Sequence, residues 1–459
     1  MPMCRMQRLA FAFTFALALY VEMRAAAAAA SEADGAHTPH ILFLVVDDLR
    51  PDGLAALGNG TVKTPHLDAV VRDGFTFRNA YCLGSNSPAV CAPSRNMLLS
   101  GQAYFRNWPG GQAPGDGPNL PDALKRAGYF TYHHGKRGNV ARSIHQRFDR
   151  SRYLDDERER RSGEPGHTIV DEAITFLKAR RDPAPWLMLL EFEAPHDPRV
   201  AAPRYLDLYR REDIPLPPNY LPVHPFDNGE MLVRDERLAP WPRTPDEIRR
   251  HLHEYYAVIS GLDYHIGRLL TTLDELKLRK DTLIVFVSDH GLALGSHGLM
   301  GKQNLYEHSM RTPLVFNGPG IPQGKSEALV YLLDVLPTLC ELAHATLPAG
   351  LDGQSLAGIL AGRQATVRDS LFTAYRDAQR AIRDERWKLI RYPKVDRTQL
   401  FDLASDPDEL QNLANEPAHS GRIADLMRQL DGWQKRLKDP APLVVADADP
   451  AEFVPPGAE

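Results

Sequence analysis

Short, uninterrupted hydrophobic runs alternate with amphipathic segments over most of the chain. Residues 41–46 are apolar throughout, and 186–192 and 282–288 are apolar except for Glu191, Thr282 and Ser288. In contrast, 167–180 and 248–276 carry apolar residues at helical spacing. A run of six or seven apolar residues is too short for a buried helix and predicts a parallel strand covered on both faces. Their alternation with amphipathic helices predicts an α/β fold with a large, mostly parallel β-sheet sandwiched by helices.

The pattern changes after about residue 362. Four short strand-like runs follow one another, separated by turn residues, and a helical segment comes after them. We therefore predict a large catalytic domain over 38–362. A smaller C-terminal domain of antiparallel sheet plus helix is predicted over 363–459. The four runs are 371–375, 379–383, 387–392 and 399–402, and the helix is 422–437.

The N-terminus has the pattern of a secretory signal. Arg5 and Arg8 precede an apolar run over 9–21, and small residues follow over 25–30. The run is shorter than the ~20 residues that span a bilayer. We predict a signal peptide over 1–30, with no membrane attachment after its removal. The mature protein would be secreted, periplasmic or lysosomal, depending on the host.

Charge and cysteine content narrow the function classes. The 459-residue chain has a net charge of −5, which gives no support to nucleic-acid binding, since that usually requires a basic excess. Loss of the signal peptide would leave Cys82, Cys91 and Cys340, too few for a disulfide framework. A bridge between Cys82 and Cys340 is possible, and Cys91 would then be the remaining thiol.

Acidic residues follow two of the predicted buried strands directly. Asp47 and Asp48 end the first, and Asp289 and His290 end the third. Carboxyl ends of parallel strands meet at one edge of a sheet, where ligands bind in open α/β folds. Three carboxylates and one imidazole suit a hard divalent cation such as Ca²⁺ better than Zn²⁺. The alternative for Asp47 and Asp48 is a solvated turn leading into 49–53.

The pentapeptide 91–95 opens an apolar helical run. Pro93 suits the first helical turn, and Cys91 would lie just before the helix, where the positive dipole end favours an anion. Arg95 would lie one turn further along on the same face. The alternative is a buried structural cysteine preceding an amphipathic helix.

Taken together, these segments make the chain resemble the sulfatase family, most closely the iduronate-sulfatase group and its bacterial relatives. Residues 91–95 (Cys-Ala-Pro-Ser-Arg) match the family's signature. Residues 46–51 and 288–291 match its two metal segments, which implies a Ca²⁺ site. The residues that the resemblance assigns to the metal are Asp47, Asp48, Cys91, Asp289 and His290, and those it assigns to catalysis are Cys91, Arg95, Lys136, His196 and Lys302.

In that family the signature cysteine is oxidised to formylglycine by a formylglycine-generating enzyme. The resemblance therefore implies that Cys91 becomes an aldehyde whose hydrate attacks the sulfur of a sulfate ester. Lys136 and Lys302 would neutralise the sulfate, and His196 or Lys302 would protonate the leaving oxygen. The expected substrate is a sulfated small molecule or glycan, with a carbohydrate favoured.

One departure from the family pattern concerns the base that resets the nucleophile. The family has a histidine two or three residues after its Gly-Lys, but none follows Lys136 at that spacing. We predict that His134 replaces it, on the same strand face as Lys136, with His145 as the second candidate. His297 and His308 are further candidates for the pocket.

Two other functions fit the same residues. The chain could be a phosphoester or phosphonate hydrolase of the same superfamily, because similar sites handle phosphorus. It could also be an inactive sulfatase-like binding protein, which the missing histidine would favour. Substrate specificity is expected from residues 102–118, 137–166 and 198–245, which carry no readable motif.

Overall fold

The computed structural model describes residues 38–106, 108 and 111–456. The predicted signal peptide therefore lies outside the described residues. Thirteen strands are found in the described part of the chain. In chain order they are β1 (His40–Val46), β2 (Phe75–Tyr81), β3 (Gly84–Ser85), β4 (Phe130–Gly135), β5 (Arg150–Tyr153), β6 (Trp186–Glu191), β7 (Thr282–Ser288), β8 (Arg311–Asn317), β9 (Gly324–Tyr331), β10 (Leu371–Tyr375), β11 (Gln379–Arg383), β12 (Trp387–Tyr392) and β13 (Arg397–Asp402).

Local signals explain where several helices begin. Pro65 opens the first helix, the Asn119 side chain caps the third, and Thr244 caps the longest helix by accepting from the Glu247 amide at 3.2 Å. The described helices are α1 (Pro65–Arg72), α2 (Cys91–Ser100), α3 (Leu120–Arg126), α4 (Arg142–His145), α5 (Asp156–Ser162), α6 (His167–Ala179), α7 (Pro203–Leu206), α8 (Pro245–Glu275), α9 (Glu307–Met310), α10 (Val335–Leu342), α11 (Ala357–Leu360) and α12 (Ser420–Leu437).

The large sheet has eight strands in the order β5-β4-β6-β1-β7-β8-β2-β9. Only β8 runs antiparallel to its neighbours, so the predicted mostly parallel sheet is confirmed. Along β1, Ile41, Phe43 and Val45 pack into one hydrophobic core, while Leu42 and Leu44 pack into the other. The strand is covered on both faces, which is why its sequence is apolar without alternation.

The second sheet has the order β13-β12-β11-β10-β3. Strands β10 to β13 pair antiparallel, as predicted. Its fifth strand, β3, pairs parallel with β10 and comes from the segment just before α2. Helix α12 packs its Leu426 and Leu430 into the core of this sheet. The boundary near residue 362 remains a prediction.

Two segments without strong periodicity also take shape. The charged run at 155–161 forms α5, capped by the Asp155 side chain. The proline-rich stretch at 211–245 contains two short 3₁₀ helices, Arg211–Asp213 and Asp235–Leu238. Within the described residues, none of the helices combines the length and apolar character needed to cross a membrane.

Candidate active site

The carboxyl ends of β1 and β7 bring the predicted acids together. The two strands are paired in parallel, with Val46 opposite Ser288, so the residues that follow them meet at one edge of the sheet. The Asp48 amide donates to Oδ1 of Asp289 at 3.3 Å. Asp48 has a φ of 68°, a left-handed conformation that Asp tolerates better than most residues. All of these side chains are buried.

Cys91 lies at the centre of this edge. It is the first residue of helix α2, with Val90 as the N-cap, so the expectation that it precedes the helix is wrong by one position. Its Sγ lies 3.4 Å from Oδ1 of Asp47, 3.2 Å from Nε2 of His290 and 3.5 Å from Nζ of Lys302. Burial and then the charge of Asp47 raise the pKa of the Cys91 thiol well above its usual value. Without a bound metal, an unmodified Cys91 thiol is therefore protonated and a poor nucleophile.

Arg95 lies one helical turn further along and is fully buried. Its Nε donates to Oδ2 of Asp289 at 2.9 Å, and Nη1 donates to Oε1 of Glu191 at 2.8 Å. Its Nη2 lies 3.4 Å from Oδ2 of Asp47. Three carboxylates thus surround one guanidinium, as burial of a fixed positive charge requires.

The two predicted lysines both reach the cluster. Lys136 Nζ donates to Oδ2 of Asp47, and Lys302 Nζ donates to Oδ1 of Asp48 at 2.8 Å. Burial opposes ionisation of Asp47, but Lys136 and Arg95 hold the pKa of this carboxyl well below its usual value. Asp48 raises the pKa of Lys302 well above its usual value against the opposing effect of burial. Both lysines are therefore positively charged.

His196 closes the cluster from the loop after β6. Its Nε2 lies 3.9 Å from Oδ2 of Asp48, and its Nδ1 lies 2.5 Å from the carbonyl oxygen of Asp197. That carbonyl accepts the Nδ1 proton, so Nε2 faces the site. The side chain is 17% exposed, more than those of the acids, which places His196 at the side open to solvent.

The donor set fits a divalent metal. Ligand atoms of Asp47, Cys91, Asp289 and His290 all lie within 4.8 Å of one another, and so do those of Asp47, Asp48, Cys91 and His196. Oδ2 of Asp48 is buried without a hydrogen-bond partner among the described residues, which is unfavourable unless a cation binds there. The preponderance of carboxylate oxygens matches the preference of hard cations.

His134 does not reach this cluster, contrary to the prediction. Its Nδ1 lies 3.8 Å from Oε2 of Glu172, a residue of helix α6. The prediction extended strand alternation to Lys136, but β4 ends at Gly135. Beyond the strand end the alternation no longer applies. The Lys136 side chain therefore contacts Asp47, whereas the His134 side chain contacts helix α6.

The second candidate, His145, lies behind Arg95. Its Nε2 is 2.8 Å from Oε2 of Glu191, and His133 reaches the same oxygen at 3.1 Å. Neither His133 nor Glu191 was predicted from the sequence. Glu191 carries the same signal as Asp47, an acid at the end of an apolar strand, and could have been found by it.

The remaining candidates have other environments. His297 stacks on Tyr306 with ring centroids 3.9 Å apart and lies 3.3 Å from His308. His297 lines a cavity of about 840 Å³, and neither Cys91 nor Lys302 lines that cavity. Cys82 and Cys340 are buried free thiols, so the possible bridge between them is not formed.

The fold and this site together define a hydrolase of anionic esters. The sulfatase family model matches residues 39–345, and a model for the C-terminal part of N-sulphoglucosamine sulphohydrolase matches residues 295–436. The chain belongs to the sulfatase family and is a sulfuric ester hydrolase. Its placement in the iduronate-sulfatase group remains a prediction.

Individual relatives cover most of the chain. An N-acetylglucosamine-6-O-sulfatase of Bacteroides thetaiotaomicron is 26% identical over 88% of this chain and 88% of its own length. A solved structure described as a complex with its substrate D-glucosamine-2-N,6-O-disulfate has a TM-score of 0.75 at 24% identity, covering 88% of this chain and 99% of that one. A phosphonate monoester hydrolase of Agrobacterium radiobacter has a TM-score of 0.74 at 22% identity, covering 87% and 96%.

Proposed function

We propose that this protein removes sulfate from a sulfated carbohydrate, using a formylglycine made from Cys91 and a bound Ca²⁺. The observation that carries the proposal is the position of Cys91 Sγ, within 3.5 Å of an acid, an imidazole and a lysine ammonium. Relatives of similar length act on sulfated glucosamines, which supports a carbohydrate substrate.

The unmodified residue at position 91 is poorly suited to the reaction. Its thiol pKa is raised by burial, so little thiolate forms at neutral pH. A formylglycine would supply a hydrated aldehyde, whose hydroxyl is the nucleophile in this family. Protein made in a host with a formylglycine-generating enzyme would therefore be needed for activity.

The metal would be held by Asp47, Asp48, Asp289 and His290, together with residue 91. When bound, Ca²⁺ would supply positive charge that offsets the sulfate and lowers the pKa of the attacking hydroxyl. Oxygen-rich ligation supports Ca²⁺ over Zn²⁺.

The cationic side chains of the chain bind and orient the sulfate. Lys302 contacts Cys91, Lys136 contacts the neighbouring Asp47, and Arg95 pairs with the surrounding carboxylates. Such preorganised charges stabilise a transition state without reorganisation of solvent. His196, at the open side, is placed to hold a proton at Nε2 for the departing alcohol oxygen, with Lys302 as the other candidate donor.

The predicted signal peptide is part of the same proposal. We infer that the mature protein is exported and acts outside the cytoplasm, in keeping with the charge pattern over 5–30.

Hydrolysis of a panel of esters tests this function. D-glucosamine 6-sulfate, an aryl sulfate and a phenyl phosphonate ester should be offered to wild-type protein coexpressed with a formylglycine-generating enzyme. Release of sulfate from the sugar, lost in Cys91→Ala, is the expected result. Hydrolysis of the phosphonate alone would assign the chain to phosphonate chemistry, and no hydrolysis would favour a binding protein.

A further inference from the structure

A second group of buried ionisable side chains lies on the far side of Arg95 from Cys91. Glu191, at the end of β6, is fully buried with His133 and His145. Its Oε1 accepts from Nη1 of Arg95 at 2.8 Å, while Oε2 lies 3.1 Å from Nε2 of His133 and 2.8 Å from Nε2 of His145. The carboxylate therefore joins both histidines to the guanidinium.

His133 is oriented to donate to this carboxylate, and His145 lies against it without an aligned hydrogen bond. Nδ1 of His133 lies 2.9 Å from the Ser151 hydroxyl, and Nδ1 of His145 lies 3.3 Å from the Tyr153 hydroxyl. Hydroxyls that donate to Nδ1 leave the ring proton on Nε2, facing Glu191. Burial, and then His145, lowers the pKa of His133 to about 3, so His133 is a neutral donor.

The geometry does not suit a second metal ion. Ligand atoms of His133, His145 and Glu191 lie close enough to consider one. However, the two imidazoles are stacked, with centroids 3.9 Å apart and planes 28° apart, whereas imidazoles on one tetrahedral ion diverge. Glu191 also already binds Arg95, so its charge has a partner.

The chain packs closely around Glu191. A Cβ on Gly135 would lie 2.6 Å from the Glu191 Cβ and 3.1 Å from Nε2 of His133. The absence of a side chain at Gly135 therefore lets β4 end against Glu191 and its histidine. Glu191 is thus enclosed by β4 on one side and bonded to Arg95 through Oε1.

We propose that Glu191, fixed by His133 and His145, is a positioning residue that aims Arg95 at the carboxylates beneath the reacting residue 91. Arg95 also donates to Asp289 and approaches Asp47, so a change in its position would be transmitted to both acids. This proposal rests on the proposed function, because the role of Glu191 is to order the charges that act on the ester.

A double-mutant cycle tests this role. Glu191→Gln keeps the shape and removes the charge, and Arg95→Lys keeps the charge and removes the planar donors. Glu191→Gln alone should lower kcat about 10- to 100-fold, the usual range for residues behind a ligand shell, with KM nearly unchanged. In the Arg95→Lys background it should have little further effect, because Glu191 acts through Arg95.

Glu172→Gln is the matched control, since Glu172 contacts His134 on the opposite side of the same strand; its kcat should equal that of wild type. Effects of Glu191→Gln and Arg95→Lys that multiply independently would overturn the proposal, as would a rise in KM with unchanged kcat. A second metal ion per chain in wild type, lost in His145→Gln, would also overturn it.

Failure of the proposed function would look different. If wild type hydrolysed only a phosphonate ester, the cycle would be measured with that ester. If it hydrolysed none, the cycle would be read by affinity for Ca²⁺, because Arg95 contacts Asp289 and Asp47. Independent effects of Glu191→Gln and Arg95→Lys on that affinity would refute the role. If Glu191→Gln does not fold, His145→Gln takes its place in the double-mutant cycle. His145→Gln should also lower kcat, by a smaller factor.

Discussion

Replacement of Arg95 by leucine should destabilise the protein strongly. The Arg95 side chain is fully buried and is paired with Asp289 and Glu191 at 2.9 and 2.8 Å. Removing it leaves two buried carboxylates without their cation. Breaking a buried pair in this way costs about 3–5 kcal/mol of unfolding free energy. A bound Ca²⁺ would compensate Asp289 in part, so the loss should be smaller in saturating Ca²⁺ than in a chelator.

Urea titrations followed by tryptophan fluorescence measure this loss, provided that the slopes of variant and wild type agree. Arg234→Leu is the control. Arg234 also pairs with a carboxylate, that of Asp197, but its side chain is 59% exposed, so the loss should stay below about 1 kcal/mol. The reasoning would be refuted if both variants lost the same unfolding free energy. It would also be refuted if the loss in Arg95→Leu were the same with Ca²⁺ as with a chelator.

Three further predictions concern the thiols, the metal and a buried acid. In the denatured mature protein a thiol reagent should react with Cys82 and Cys340 but not with position 91; a disulfide between the first two would contradict the structure. Chelation should abolish hydrolysis and Ca²⁺ should restore it, whereas restoration by Zn²⁺ alone would contradict the ligand assignment. Burial raises the pKa of Asp263 from 3.8 to about 7, so wild type should lose stability as pH rises through that range. Asp263→Asn should show less of this loss in urea titrations at about pH 5 and about pH 8; an equal loss would contradict it.

The strands and the meeting of the acids at one sheet edge were predictable because their signals are local. A buried strand must be apolar throughout, so β1 and β7 stand out, and the acids directly after them can only lie at the sheet edge. The pairing of Val46 with Ser288 then brings Asp47, Asp48 and Asp289 together. That β1 and β7 are neighbours is shown by the structure.

The arrangement behind the site was not predictable in the same way. His134 was assigned by alternation, but β4 ends before Lys136, and strand ends are not marked in the sequence. The role of Glu191 depends on its contacts with Arg95 and His145. Those residues belong to other elements, and only the folded chain brings them together. The pairing of β3 with β10 likewise joins segments far apart in the chain.

The mass of tryptic peptide 79–95 tests the central claim most directly. Protein from its own host, or coexpressed with a formylglycine-generating enzyme, would be digested and analysed by mass spectrometry. The account predicts that residue 91 is an aldehyde, with Cys82 in the same peptide serving as the internal unmodified control. A thiol at both positions, in protein that nonetheless releases sulfate from its substrate, would contradict the account.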